Sequence, residues 1–239
     1  MAEYDFVAGR VEELRERIAA ACARSGRRPE EVELLAVTKF HPAEAVLAAY
    51  DAGLRSFGES RVQEAEAKFP SILDSRPDLR LDMIGHLQGN KAKKAASLFG
   101  RIQSVDSAEL VRALGERALA AGRRLEILLE LHTGEESKEG FESLDELKRG
   151  RDAALECPAL TLRGLMTMAP FTADEAAVRA SFRKLHAAFE LIRPGLPPGP
   201  GSEAFDVLSM GMSGDFEQAV EEGSTLVRIG TAIFGERPK

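Results

Sequence analysis

Leu34-Leu35-Ala36-Val37-Thr38-Lys39-Phe40-His41-Pro42 is an apolar run of strand length that ends in a lysine. Leu34 to Val37 supply the branched and apolar side chains that a strand buried on both faces needs. Lys39 breaks the pattern where the strand should leave the core, and Pro42 fixes the start of a new segment. A lysine amine taken out of water holds its proton less tightly and becomes a better nucleophile. The same residue can equally be a strand-end lysine snorkelling to water. This stretch alone leaves both readings open.

Outward from here the chain repeats one unit. Residues 42–50 read as a helix with proline near its first position, closed by Gly53. Further strands are expected at 54–59, 81–86, 101–105, 125–131, 162–166, 205–208 and 225–229. Helices are expected at 60–69, 91–98, 144–155, 175–192 and 216–222, and from Ser107 as cap to about residue 121. Residues 194–201, rich in proline and glycine, read as a surface loop.

With 34–39 counted, eight strands alternate with helices, the pattern of a closed (β/α)8 TIM barrel of roughly 250 residues. An open doubly wound sheet alternates in the same way. The count of eight favours the barrel, as does the lack of a glycine-rich dinucleotide fingerprint after the first strand. Little chain follows the eighth strand to make its helix. Residues 3–24 carry Val7, Val11, Leu14, Ile18 and Ala21 at spacings of three and four. This amphipathic helix is expected to pack on the barrel and cover the gap. The expected organisation is one domain over residues 1–239.

Composition narrows the function. The chain is 44% hydrophobic and 30% charged with a net charge of −7, which argues against a nucleic-acid or anionic-membrane surface. No apolar run approaches the roughly 18 residues of a membrane span, and the acidic start lacks the features of a signal peptide. Cys22 and Cys157 form no disulfide framework, so a reducing cytoplasm is the expected location. Four scattered histidines without HExxH or CxxC give no metal site.

In such barrels chemistry gathers at the C-terminal ends of the strands, with phosphate commonly held after strands seven and eight. Strand seven is followed by Ser209-Met210-Gly211-Met212-Ser213-Gly214-Asp215. Two glycines let the backbone approach a ligand, two serines add hydroxyls, and the next helix presents its N–H groups. A loop in which Ser213 caps that helix explains the same residues without a ligand. Strand eight gives Val227-Arg228-Ile229-Gly230-Thr231. An unpaired guanidinium is expensive inside an apolar strand, so Arg228 needs a ligand or a structural ion pair. Gly230 and Thr231 add a close-approach backbone and a hydroxyl. A nucleophilic lysine, a phosphate cup and a buried arginine suit a phosphorylated aldehyde held as a Schiff base.

Further motifs stand in a characteristic order: Ala36-Val37-Thr38-Lys39, Gly58-Glu59-Ser60-Arg61-Val62-Gln63-Glu64, Ile84-Gly85-His86-Leu87-Gln88-Gly89-Asn90-Lys91, Gly164-Leu165-Met166-Thr167-Met168-Ala169-Pro170, and the two segments just described. From about residue 30 to its end the chain resembles the pyridoxal phosphate homeostasis protein family, single-domain relatives of alanine racemase. The resemblance implies a barrel like the N-terminal domain of alanine racemase, with pyridoxal 5′-phosphate (PLP) on Lys39. It implies that Arg228 faces the pyridine nitrogen and that Ser209, Met210, Gly211, Ser213, Gly230 and Thr231 hold the phosphate. The family usually has Asn where Ser60 and His132 stand, and His at Asp82. His86 and His132 are then either cofactor neighbours or ordinary strand-end residues. Lys138 is either a solvated loop charge or a residue that helps pass PLP on.

The resemblance implies a carrier or buffer in intracellular PLP homeostasis that is not an enzyme, with PLP and PLP-dependent apoenzymes as partners. The alternative is an amino-acid racemase or a related PLP enzyme. Racemases of this fold add a β-rich domain that supplies a tyrosine opposite the lysine. This chain has only Tyr4 and Tyr50, neither expected at a strand's C-terminal end.

Overall fold

Eight parallel strands close into a barrel in chain order in a computed structural model that describes residues 4–134, 140–196 and 205–236. They are β1 (Glu33–Val37), β2 (Ser56–Glu59), β3 (Arg80–Met83), β4 (Arg101–Val105), β5 (Leu125–Glu130), β6 (Leu160–Met166), β7 (Val207–Ser209) and β8 (Leu226–Ile229). Closure runs through the β1–β8 pair, with Leu35 opposite Arg228 and Ala36 opposite Ile229. The closed barrel of the sequence reading is what the chain forms.

Strand periodicity sorts the side chains into two cores. Leu34 and Ala36 join the large outer core beneath the helices, whereas Leu35 and Val37 belong to a small inner cluster. Leu128, Met166, Val207 and Leu226 complete that cluster, with Ile84 and Met168 against it. Residues of the same parity as these occupy the inside of the barrel, and several are polar.

The helices are α1 (Val7–Arg24), α2 (Ala43–Asp51), α3 (Val62–Lys68), α4 (Pro70–Ser75), α5 (Ala92–Leu98), α6 (Ala108–Ala120), α7 (Leu144–Leu155), α8 (Glu175–Ile192), α9 (Phe216–Glu221) and the single turn α10 (Thr231–Phe234). Ser107 caps α6 as expected, accepting from the Leu110 N–H at 3.3 Å. The amphipathic face of α1 packs against α2, α9 and α10, where an eighth outer helix would otherwise lie. Arg17 pairs with Glu217 at 2.8 Å, and Arg27 Nη1 donates to the Val220 and Ser224 carbonyls at 2.8 and 2.7 Å.

Some boundaries differ from the sequence reading. The first helix starts at Val7, not residue 3, and α4 follows α3 because Pro70 restarts a helix after buried Phe69. Strand β3 stops at Met83 rather than 86. There Gly85 presses on the neighbouring loop, and a Cβ on it would lie 2.5 Å from the Ser60 carbonyl oxygen. Part of the 194–201 loop lies outside the described residues.

Candidate functional site

The C-terminal end of β1 turns sharply. Thr38 is fully buried, Lys39 is half-buried, and Phe40 is the sole non-glycine residue with positive φ (66°) among those described. A bulky residue in the left-handed region is held there by its surroundings. Those surroundings are explicit. His41 N–H donates to the Thr38 carbonyl at 3.0 Å, and Phe40 N–H to Glu64 Oε1 at 2.6 Å. Thr38 Oγ1 donates to Glu59 Oε1 at 2.7 Å. Lys68 Nζ joins all three strands of this clamp, donating to the Thr38 carbonyl, Glu59 and Glu64 at 2.9, 2.8 and 3.1 Å. Burial pushes the Glu59 carboxyl above its usual range against the pull of Lys68 and Thr38. The turn that carries Lys39 is thus tied to the start of the next βα unit.

Beside it lies the end of β8. A Cβ on Gly230 would sit 3.3 Å from both the Val37 carbonyl oxygen and Val37 Cβ, so the backbone after β8 abuts the strand leading to Lys39. The loop after β7 closes the other side. Gly211 has φ +96°, and a Cβ there would lie 2.6 Å from Ala219 Cβ, so neither the conformation nor the space admits a side chain. Ser213 does not cap α9. Asp215 precedes that helix and accepts from Met212 N–H at 2.6 Å, while Ser213 Oγ accepts from Ala232 N–H at 3.3 Å. The loops after β7 and β8 are therefore knitted together, with Thr231 exposed on the second. Met210 is buried in the outer core and supports the loop from behind.

Arg228 is 4% exposed. Its Nη1 donates to Ser209 Oγ at 2.5 Å and its Nη2 to the Thr167 carbonyl at 2.7 Å. Neither partner is charged. Burial lowers its pKa to about 10, against the opposing influence of Glu130 and Asp215, so it remains a cation at neutral pH. These bonds use two of its five N–H groups. Ser209 shares these contacts: its hydroxyl accepts from Arg228 and donates to Gln103 Oε1 at 2.7 Å. That hydroxyl supports Arg228 from beneath the loop.

The remaining candidates scatter. Ser60 and His86 line one cavity of about 450 Å³ with Arg61 and Lys91, after the ends of β2 and β3. His86 Nδ1 lies 3.1 Å from Asp106 Oδ2. The His132 carbonyl accepts from Lys184 Nζ at 3.0 Å. Lys138 lies outside the described residues. A cavity of about 700 Å³ lies at the opposite end beneath α1 and touches none of these groups. Among the described residues no three His, Cys, Asp or Glu side chains gather to hold a metal ion, and no helix is long and apolar enough to cross a membrane.

Sequence reasoning missed Glu59, Lys68, Thr167, Gln103 and the Asp82–Arg101 pair. Glu59, Thr167, Gln103, Asp82 and Arg101 are polar residues in or beside apolar strand segments, and Lys68 ends α3. That is a visible oddity, but it gains meaning only from cross-strand register.

The alanine racemase N-terminal domain model matches residues 10–238. The pyridoxal phosphate homeostasis protein of Vibrio cholerae is 39% identical over 230 residues, covering 95% of this chain and 94% of that protein. The protein of the same description from Escherichia coli K12 is 36% identical over 232 residues, covering 97% of each. Among solved structures, PipY of Synechococcus elongatus with PLP bound superposes with a TM-score of 0.81 at 36% identity, covering 96% of this chain and all of that one. Alanine racemase of Clostridium difficile 630 shares the fold at 12% identity, with a TM-score of 0.74 over 98% of this chain and 58% of that one.

Proposed function

The chain belongs to the pyridoxal phosphate homeostasis protein family, and from that premise we propose that it binds PLP covalently through Lys39. In this reading it serves as a carrier or buffer of the cofactor inside the cell, without substantial catalysis of its own. The observation that carries the proposal is the meeting of three features at one end of the barrel. These are the braced Lys39 turn, the side-chain-free backbone at Gly211 and Gly230, and a buried arginine whose partners are all neutral.

The mouth fits the group chemically. PLP supplies an aldehyde that condenses with an amine, a phosphate, and a pyridine ring that withdraws electrons. Lys39 would offer the amine, positioned by the bonds around Thr38 and Phe40. Gly211, Ser213, Gly230 and Thr231 would hold the phosphate, with Met210 and Ser209 in support. Arg228 would oppose protonation of the ring nitrogen, because one cation disfavours a second nearby. A ring kept neutral withdraws electrons less well, and weak catalysis follows. The two tyrosines agree with this. Tyr50 donates to Asp78 at 2.5 Å near the end of α2, and Tyr4 packs against the outer core, so neither is set opposite Lys39 as a second base. We read residues 1–239 as one such domain, working in the cytoplasm, from which PLP leaves to solution or to PLP-dependent apoenzymes.

The test is the visible absorption of the protein incubated with PLP, followed by borohydride reduction and peptide mapping. A pyridoxyl group on the Lys39 peptide is the expected result; a label confined to Lys91, Lys93 or Lys138 would overturn the assignment. Chiral chromatography of L-alanine and other L-amino acids tests the carrier reading. Conversion should stay near that of free PLP and of the Lys39→Ala protein, and saturable conversion well above both would make the protein an enzyme.

A further inference from the structure

Inside the barrel one polar line runs from its lower half to Arg228. Arg101 Nε donates to Asp82 Oδ2 at 2.7 Å, with its Nη2 2.6 Å from the same oxygen. Gln103 Nε2 donates to that oxygen at 2.6 Å. Ser209 Oγ donates to Gln103 Oε1 at 2.7 Å and accepts from Arg228 Nη1. Asp82, Gln103 and Ser209 are fully buried and Arg101 is 1% exposed.

The direction of every bond is forced. A guanidinium only donates, so Ser209 must accept from Arg228 and spend its single O–H on Gln103. The Gln103 amide must then turn its oxygen to Ser209 and its nitrogen to Asp82. Asp82 Oδ2 takes both donors: burial pushes its carboxyl pKa up, and Arg101 and Gln103 pull against that by favouring the charged form. Reversing any member would set donor against donor without water, so the line has one arrangement. Asp82 Oδ1 meanwhile has no hydrogen-bond partner among the described residues, so the carboxylate's bonding is directed along this line.

We propose that Gln103 and Asp82 are positioning residues that fix the orientation of Arg228 and, through it, the electronic state of a ring bound at the mouth. This rests on the PLP reading for its second half only. Gln103 lies 106 positions from Ser209 in the chain, and its one route to the mouth is through the hydroxyl it orients.

Gln103→Leu removes the link at nearly constant size, and Asp82→Asn removes the charge while keeping an acceptor. Two measurements are made on each. In the protein without PLP, NMR follows hydrogen exchange of the Arg228 guanidinium, assigned with Arg228→Lys. Anchoring predicts exchange at least about tenfold faster in Gln103→Leu, the size of losing one hydrogen bond in a charged chain. In protein loaded with PLP, a spectrophotometric pH titration follows the bound chromophore. Its midpoint should move in both variants, and PLP affinity should fall about tenfold in Gln103→Leu.

Unchanged Arg228 exchange in folded Gln103→Leu would overturn the proposal, as would lowered thermal stability with wild-type exchange and chromophore. If Gln103→Leu does not fold, the same readings on Ser209→Ala against the wild type decide. A wild-type protein with no borohydride-reducible absorption would refute the PLP reading instead, and the exchange measurement would still judge the anchoring.

Discussion

The two buried arginines of the barrel, one towards each end, are held in opposite ways. At the N-terminal end, charges meet charges. Glu33 receives Arg80 and Ser56 and stands 3.7 Å from Arg101, Arg163 bridges Glu126 and Asp206 at 2.5 and 2.8 Å, and Arg101 grips Asp82. At the C-terminal end, the buried Arg228 is held by a hydroxyl and a carbonyl, and the backbone is bare at Gly211 and Gly230. Arg101 is neutralised by carboxylates and closes the structure. Arg228 stays a cation on neutral hydrogen-bond partners and retains donors for something else, in keeping with the division of labour between the faces of such barrels.

The sharpest way to break this comparison is to delete one arginine from each end. Arg101→Met should be severely destabilising, by about 3–5 kcal/mol in chemical denaturation, because it strands buried Asp82 and weakens the hold on Glu33. Arg228→Met should cost the protein without PLP no more than about 1 kcal/mol, since it removes a buried cation that has no carboxylate partner. It should nonetheless alter the spectrum of bound PLP. Equal destabilisation by the two changes would erase the distinction.

A smaller effect separates the ends by pH. Burial works to raise the Glu33 carboxyl, but Arg101, Arg80 and the Ser56 hydroxyl outweigh it and hold it below its ordinary value of 4.5. A carboxyl depressed in the folded state stabilises above its unfolded pKa, and that contribution is lost as pH falls through the folded value. Glu33→Gln should therefore be less stable than wild type at pH 7, with the gap narrowing at pH values well below 4.5. A gap that stays constant would mean that the carboxylate's charge contributes nothing.

The smallest expected change is at the Lys39 turn. Phe40→Gly relieves a left-handed residue that is 42% exposed, and should shift stability upward by less than about 1 kcal/mol. Because the clamp from Glu64, Glu59 and Lys68 acts on the neighbouring backbone, Lys68→Met should weaken PLP binding more than Phe40→Gly does. Competition against a common PLP acceptor would rank the two.

The same contrast explains what the sequence made legible. Strands buried on both faces announce themselves as apolar runs, so the barrel and its order could be read from Leu34–Val37 onward. The α1 helix showed its buried stripe in Val7, Val11, Leu14 and Ile18. Lys39 and Arg228 were visible as charges interrupting such runs. The partners of those charges were not, because Ser209 meets Gln103 and Thr38 meets Glu59 only through strand register, which no local pattern encodes. Ser209 adjoins the loop in sequence, and its parity in β7 turns its hydroxyl inward to Gln103. The α4 helix escaped notice because the Phe69-Pro70 junction reads as an ending, although proline also starts helices.

The most direct test of the account is the unfolding free energy of wild type and Lys39→Ala with and without PLP. Binding to the folded state adds about 2.7 kcal/mol when PLP is a hundredfold above its dissociation constant. The account predicts a gain of this order in the wild type and little at the same PLP concentration in Lys39→Ala, each measured against the same protein without PLP. Equal stabilisation of both by PLP, or of neither, would contradict it.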